Sequence, residues 1–157
     1  MKTLKLLLAL ILVFSTYVSY QPVVRAADQA VEDQSTPVDP RILKLESFFQ
    51  KYNCPQPYHV PTYLEAADQY NLPYTLLAVI SVKESGCGKQ VFRKNNWWGF
   101  GNQSFPNIDQ GIWTISQQLG EGKYYQGKTL IGKLKTYNSV NPKYPSHAIQ
   151  LMDSIEN

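Results

Sequence analysis

Glu84 is the residue of this chain best placed for acid–base chemistry. It closes the run LPYTLLAVISVKE over residues 72–84. Leu76, Leu77, Ala78, Val79, Ile80 and Val82 make that run apolar almost all round, the pattern of a buried helix. Ser81, Ile80 and Leu77 stand three, four and seven residues before Glu84, which puts the carboxyl on a largely apolar face. No cation stands at 80, 81 or 87 to pair with it, and the C-terminal end of a helix disfavours an anion. Desolvation and the helix dipole thus both favour the protonated acid, the form that general-acid chemistry requires. The competing reading is a solvated glutamate ahead of an ordinary helix stop at Ser85-Gly86.

A second cluster follows about a dozen residues later: Asn95-Asn96-Trp97-Trp98-Gly99-Phe100-Gly101. Exposed Trp rings stack on sugar faces. Asn side chains both donate to and accept from hydroxyls and acetamides. Gly99 and Gly101 allow backbone to approach a ligand closely. The alternative is that Trp97 and Trp98 fill the core of a small lobe.

The chain has two cysteines, Cys54 and Cys87. In an exported protein the default is one disulfide, worth ~3–4 kcal/mol by loop entropy. It would anchor the end of the helix that carries Glu84. The rival is a cysteine-peptidase pair of Cys87 with His59 or His147. A thiol at a helix C-terminus has a raised pKa, which opposes that role. Ser81 and Ser85 lack a nucleophile-elbow setting. His59 and His147 have no zinc-ligand spacing, so no metal is expected, and no organic cofactor either.

The segments AVISVKESGCGK, NNWWGFGN and FPNIDQGI, with the late Tyr137, resemble the bacterial peptidoglycan-glucosaminidase domain, the mannosyl-glycoprotein endo-β-N-acetylglucosaminidase-like family of the lysozyme-like superfamily. The stretch KLESFFQKYNCPQP followed by YLEAADQYNLPYTLLAVISVKES is similar to the two helices that lead into that family's catalytic glutamate. The resemblance covers residues 41–157. It implies a glycosidase of the endo-β-N-acetylglucosaminidase or muramidase type, acting on the glycan strands of peptidoglycan. It implies Glu84 as general acid, and Asn96 with Gly99, Phe100 and Gly101 in the cleft-lining segment beside Trp97 and Trp98. It implies Tyr137 as the tyrosine that helps place substrate or stabilise positive charge, with Tyr124, Tyr125 and Tyr144 as neighbouring candidates.

The chain departs from the family in one respect. Glycoside hydrolysis usually takes two carboxylates, and no Asp or Glu stands between Glu84 and Asp109. Asp109 reads as a helix cap and Glu121 as a solvated loop residue. Three outcomes follow: assistance by the substrate's N-acetyl group, a lytic transglycosylase reaction needing one acid/base, or a binding remnant with low activity. A non-catalytic glycan-binding module is the alternative outside the enzymes.

The elements that must position these residues are mainly helical. Helices are expected over 41–52, over 60–70, from an Asn71 cap with Leu72-Pro73 at its start through Glu84, over 110–119 from an Asp109 cap, from a Thr129 cap to Leu134, and from Pro145-Ser146 onward. Residues 86–107 have no helical period and are expected to form a small irregular or β-hairpin lobe. The fold class is therefore mainly α, and the resemblance implies a lysozyme-like helical domain over 41–157. Residues 1–26 read as a secretory signal peptide: Lys2 and Lys5, an apolar stretch from Leu6 to Phe14, and Val24-Arg25-Ala26 before the cut. An uncleaved anchor is the alternative. Residues 27–40 are polar, acidic and Pro-containing, and read as a disordered linker. The protein is expected to be secreted or held in the cell envelope, monomeric, with no stable membrane span after processing. The chain carries 15 Lys and Arg against 12 Asp and Glu. No basic run or motif points to nucleic acid.

Overall fold

The computed structural model describes residues 39–157. The expected signal peptide, and the expected linker up to residue 38, lie outside the described residues. The last two linker positions, Asp39 and Pro40, are the cap and the first residue of the first helix. Asp39 caps α1 (Pro40–Lys51) by accepting from the Arg41 N–H, and Pro40 takes the first turn, where its missing N–H costs nothing. The Arg41 guanidinium also reaches Asp68 at 2.6 Å, tying α1 to α2 (Val60–Gln69). This cluster is surface-exposed and contributes little net stability.

α3 (Tyr74–Ser85) is the centre of the packing. Every residue from Thr75 to Ser81 is buried, as the all-round apolar pattern requires. It packs between α2 and α6 (Tyr144–Glu156). α2 also contacts α1 and α4 (Ile108–Glu121), while α6 contacts α1 and α5 (Leu130–Tyr137). Leu45, Phe49, Tyr63, Leu76, Ile80, Ile112, Ile115, Leu119 and Leu134 join into one core. The fold is mainly α, with six helices and no strand among the described residues.

Two expected caps differ. Asn71 does not cap α3: it takes a left-handed conformation, and Pro73 is the N-cap. Asp109 does not cap α4 either. Asn107 does, its side chain accepting from the Gln110 N–H. Thr129 caps α5 as expected, through the Gly132 N–H, and that helix runs on to Tyr137. α6 opens one residue before Pro145, at Tyr144.

The chain between α3 and α4 is a long segment of turns, pinned at several points. α3 stops at Gly86, which is left-handed at φ 59°. Cys87 is disulfide-bonded to Cys54, with their Cα atoms 5.4 Å apart. The Ser85 hydroxyl donates to the Trp97 carbonyl at 2.5 Å and accepts from the Gly88 N–H at 2.7 Å. Loops of this length without secondary structure are uncommon and tend to be functional. Among the described residues no helix is long and apolar enough to cross a membrane.

Candidate active site

Glu84 sits in the last turn of α3, half-buried. Its carboxyl lies against the backbone of Gly99. A Cβ built on Gly99 would stand 3.2 Å from Glu84 Oε2, and Gly99 holds φ +61°. Glycine is therefore required there twice, for the left-handed turn and for the close approach. Together they line a cleft of about 230 Å³ whose walls include Gln90, Phe92, Asn96 and Asn102. Among the described residues, Glu84 is the only carboxylate that lines it.

Asn96 is buried, and its side chain is fully committed to the loop. Its oxygen accepts from the Phe100 N–H at 2.9 Å, and its amide donates to the carbonyls of Phe100 and Gln103 at 3.2 and 3.0 Å. It shapes the Gly99–Gly101 turn rather than offering a free amide to a ligand. Asn95 does similar work on the outer side, donating to the Phe105 and Pro106 carbonyls.

The two tryptophans separate. Trp98 is 0 % exposed, so the expectation that it binds substrate is corrected: it is a core residue. Its indole N–H donates to the Leu77 carbonyl at 3.2 Å. Its ring lies on Gly111 of α4, where an added Cβ would come within 2.6 Å of a ring carbon. Trp97 is half-buried and lies on Gly88, with the His59 ring edge-on at 5.9 Å. It is not among the residues lining the Glu84 cleft.

A tyrosine pair packs against Phe100 of the Gly99–Gly101 turn, with neither ring among the residues lining the cleft. Phe100 faces Tyr137 at 6.0 Å, and Tyr137 stacks on Tyr144 at 6.2 Å. The Tyr137 hydroxyl donates to the Trp98 carbonyl at 2.5 Å. It is thus committed to holding the loop, and burial pushes its pKa well up. Tyr144 differs. Its buried hydroxyl has no hydrogen-bond partner. Burial first, then the adjacent Glu84 carboxylate, push its pKa well up, so it stays a neutral donor beside Glu84. The two groups are neighbours rather than a formed hydrogen bond. Lys83 Nζ stands 4.6 Å over the Tyr144 ring. Tyr124 is exposed and Tyr125 buried, and neither lines the cleft.

Asp109 is turned to a different task from capping. Its Oδ1 accepts from Thr62 Oγ1 and lies 2.8 Å from His59 Nδ1. Burial opposes its charge, but the Thr62 and His59 bonds outweigh that and hold its pKa below the usual carboxylate range. Asp109 and the exposed Glu121 are both absent from the lining of the Glu84 cleft. Cys87 has no thiol to offer, its sulfur being bonded to Cys54, so a cysteine-peptidase centre is not available. Among the described residues no three His, Cys, Asp or Glu side chains converge as metal ligands.

Two features around Glu84 are not legible in the sequence by itself. Phe92 lines the cleft and is almost fully exposed. The sequence signal is a lone Phe beside Arg93-Lys94 in a segment with no helical or strand period, hence with no core face to fill. Tyr144 is one of four tyrosine candidates, and only the packing of α6 on α3 sets it beside Glu84.

No family model matches the chain, and comparison with curated proteins and with solved structures returns no match.

Proposed function

We propose that the protein is an exported, peptidoglycan-cleaving glycosidase with Glu84 as its general acid. The observation that carries the reading is the single carboxyl in the cleft, set on a rigid buried helix and pressed against a glycine turn. Glu84 donates its proton to the glycosidic oxygen as the C1–O bond breaks, and the leaving sugar departs as an alcohol. The carboxylate so formed then accepts the proton of the hydroxyl or water whose attack at C1 completes the reaction. Tyr144, a neutral donor beside it, steadies the negative charge that Glu84 acquires. Gln90 and Asn102, exposed amides on the cleft wall, suit the acetamido groups of the substrate.

With no second carboxylate lining the cleft among the described residues, the attacking oxygen is best supplied by the substrate itself. Attack by its acetamide oxygen forms an oxazolinium ion that water then opens at C1, giving its proton to Glu84, which makes a hydrolase. Attack by its C6 hydroxyl, which gives its own proton to Glu84, forms an anhydro sugar and makes a lytic transglycosylase. A disulfide agrees with life in an oxidising compartment, which is where peptidoglycan lies.

The test is Glu84→Gln on purified cell wall, with mass spectrometry of the released fragments. Loss of the acid should lower the rate by ~10²–10⁴-fold without changing the melting temperature. The product ends read the route: reducing glucosamine, reducing muramic acid or anhydro-muramic acid. Wall clearing within about threefold of wild type would remove Glu84 from the reaction. A glycan-binding module without catalysis would release no fragments at all while still sedimenting with the wall.

A further inference from the structure

Phe92 is 99 % exposed. A single exposed apolar side chain is unremarkable on most surfaces. This one lines the same cleft as Glu84, next to Val91, which is also exposed. Trp98 is spent in the core, and Trp97 on Gly88 and His59. Phe100 is half-buried against Tyr137. Phe92 is therefore the aromatic face that the cleft leaves open.

The segment is held, not dangling. The Gln90 N–H donates to the Ser85 carbonyl at 3.0 Å, the Asn96 N–H to the Arg93 carbonyl at 3.1 Å, and the Phe105 N–H to the Lys94 carbonyl at 3.0 Å. These bonds fix the backbone on both sides of Phe92 relative to the end of α3, which is what a pre-organised platform requires. Arg93 follows directly. Its guanidinium makes one weak contact, to the neighbouring Phe92 carbonyl at 3.4 Å, and among the described residues no carboxylate pairs with it. The planar fork is thus open to a carboxylate from outside. The cleft itself, at about 230 Å³, is smaller than the roughly 300–1,000 Å³ that encloses a drug-sized ligand. A glycan strand must therefore leave it along the rim, where Phe92 and Arg93 stand.

Building on the glycosidase reading, we infer that Phe92 and Arg93 form a sugar subsite beside Glu84, with Phe92 stacking on a pyranose face and Arg93 pairing with a carboxylate borne by that strand. The cleft thereby selects an N-acetylated glycan with acidic sugars over a neutral one of the same length.

Two probes separate the parts, titrated calorimetrically into the full chain carrying Glu84→Gln so that neither is cleaved. One is chitotetraose, a neutral N-acetylglucosamine tetramer. The other is a tetrasaccharide of alternating N-acetylglucosamine and N-acetylmuramic acid, whose lactyl groups are carboxylates. Phe92→Ala should weaken both by about tenfold. Arg93→Gln should weaken the acidic tetrasaccharide by about three- to fivefold at low salt, leave chitotetraose unchanged, and lose that distinction as salt rises. Both side chains are exposed, so both variants should keep the parent circular dichroism and melting temperature. The inference is overturned if Phe92→Ala binds both glycans as its parent does, if Arg93→Gln weakens the two equally, or if the parent binds neither. These readings do not depend on turnover. Retained wall lysis by Glu84→Gln would defeat the acid assignment and leave the subsite measurement standing or falling by itself.

Discussion

Gly99→Ala and Gly101→Ala form a matched pair that isolates how closely the loop holds Glu84. Both glycines are left-handed, at φ +61° and +56°. An L-residue forced into that region costs roughly 1–2 kcal/mol, partly offset by the smaller entropy of the unfolded chain. Each variant should therefore lose about 1 kcal/mol, or ~4 °C in melting temperature for a domain of this size. Their surroundings differ. The new methyl at 101 meets nothing within 4 Å, whereas at 99 it stands 3.2 Å from Glu84 Oε2, tight enough to displace the carboxyl by a few tenths of an ångström. A 1 Å misplacement of a catalytic group costs on the order of 10²-fold in rate. A shift of about 0.3 Å, scaled logarithmically, then costs about fourfold. Gly99→Ala should accordingly clear cell-wall suspensions about fourfold more slowly than Gly101→Ala, at matched protein concentration and below both melting temperatures. Equal rates for the two would refute the claim that Gly99 sets the Glu84 carboxyl. An unshifted melting temperature for Gly101→Ala would refute the strain argument underneath it.

The two tyrosines should part in the same way: Tyr137→Phe strands the Trp98 carbonyl and should cost ~1 kcal/mol in urea unfolding. Tyr144→Phe, which removes a hydroxyl without a partner, should leave stability unchanged while slowing wall clearing about tenfold; the reverse pattern would exchange their roles. Asp109 tests the one-acid mechanism. Asp109→Asn should keep most lytic activity, and a hundredfold loss at unchanged stability would restore a two-carboxylate mechanism. Its folded pKa is depressed, so its contribution is present above the unfolded value of ~3.9 and lost as pH falls through the folded one. Half-exposure keeps that contribution under about 1 kcal/mol. Between pH 5 and 3 the urea midpoint of Asp109→Asn should thus fall less steeply than that of wild type, and parallel slopes would show that Thr62 and His59 do not stabilise the Asp109 charge.

What the sequence determined by itself was whatever repeats over a few residues. The apolar run before Glu84 could only be a buried helix, because no face of it is polar. Thr129 caps α5 because its hydroxyl reaches a backbone N–H three residues on. The even cysteine count led to the Cys54–Cys87 bond. Tertiary structure decided between residues that are locally equivalent. Asn107 and Asp109 are both competent caps two positions apart; α2 claims Asp109 through His59 and Thr62, and Asn107 takes the helix. Trp97 and Trp98 are adjacent and chemically identical, yet only one can enter the notch that Gly111 leaves on α4. Tyr137 and Tyr144 differ because one hydroxyl finds the Trp98 carbonyl and the other comes to rest beside Glu84. Periodicity and capping act within a helical turn and are written in order along the chain. The burial of one ring, or the partner of one hydroxyl, depends on groups tens of residues away, and becomes fixed only when the helices pack.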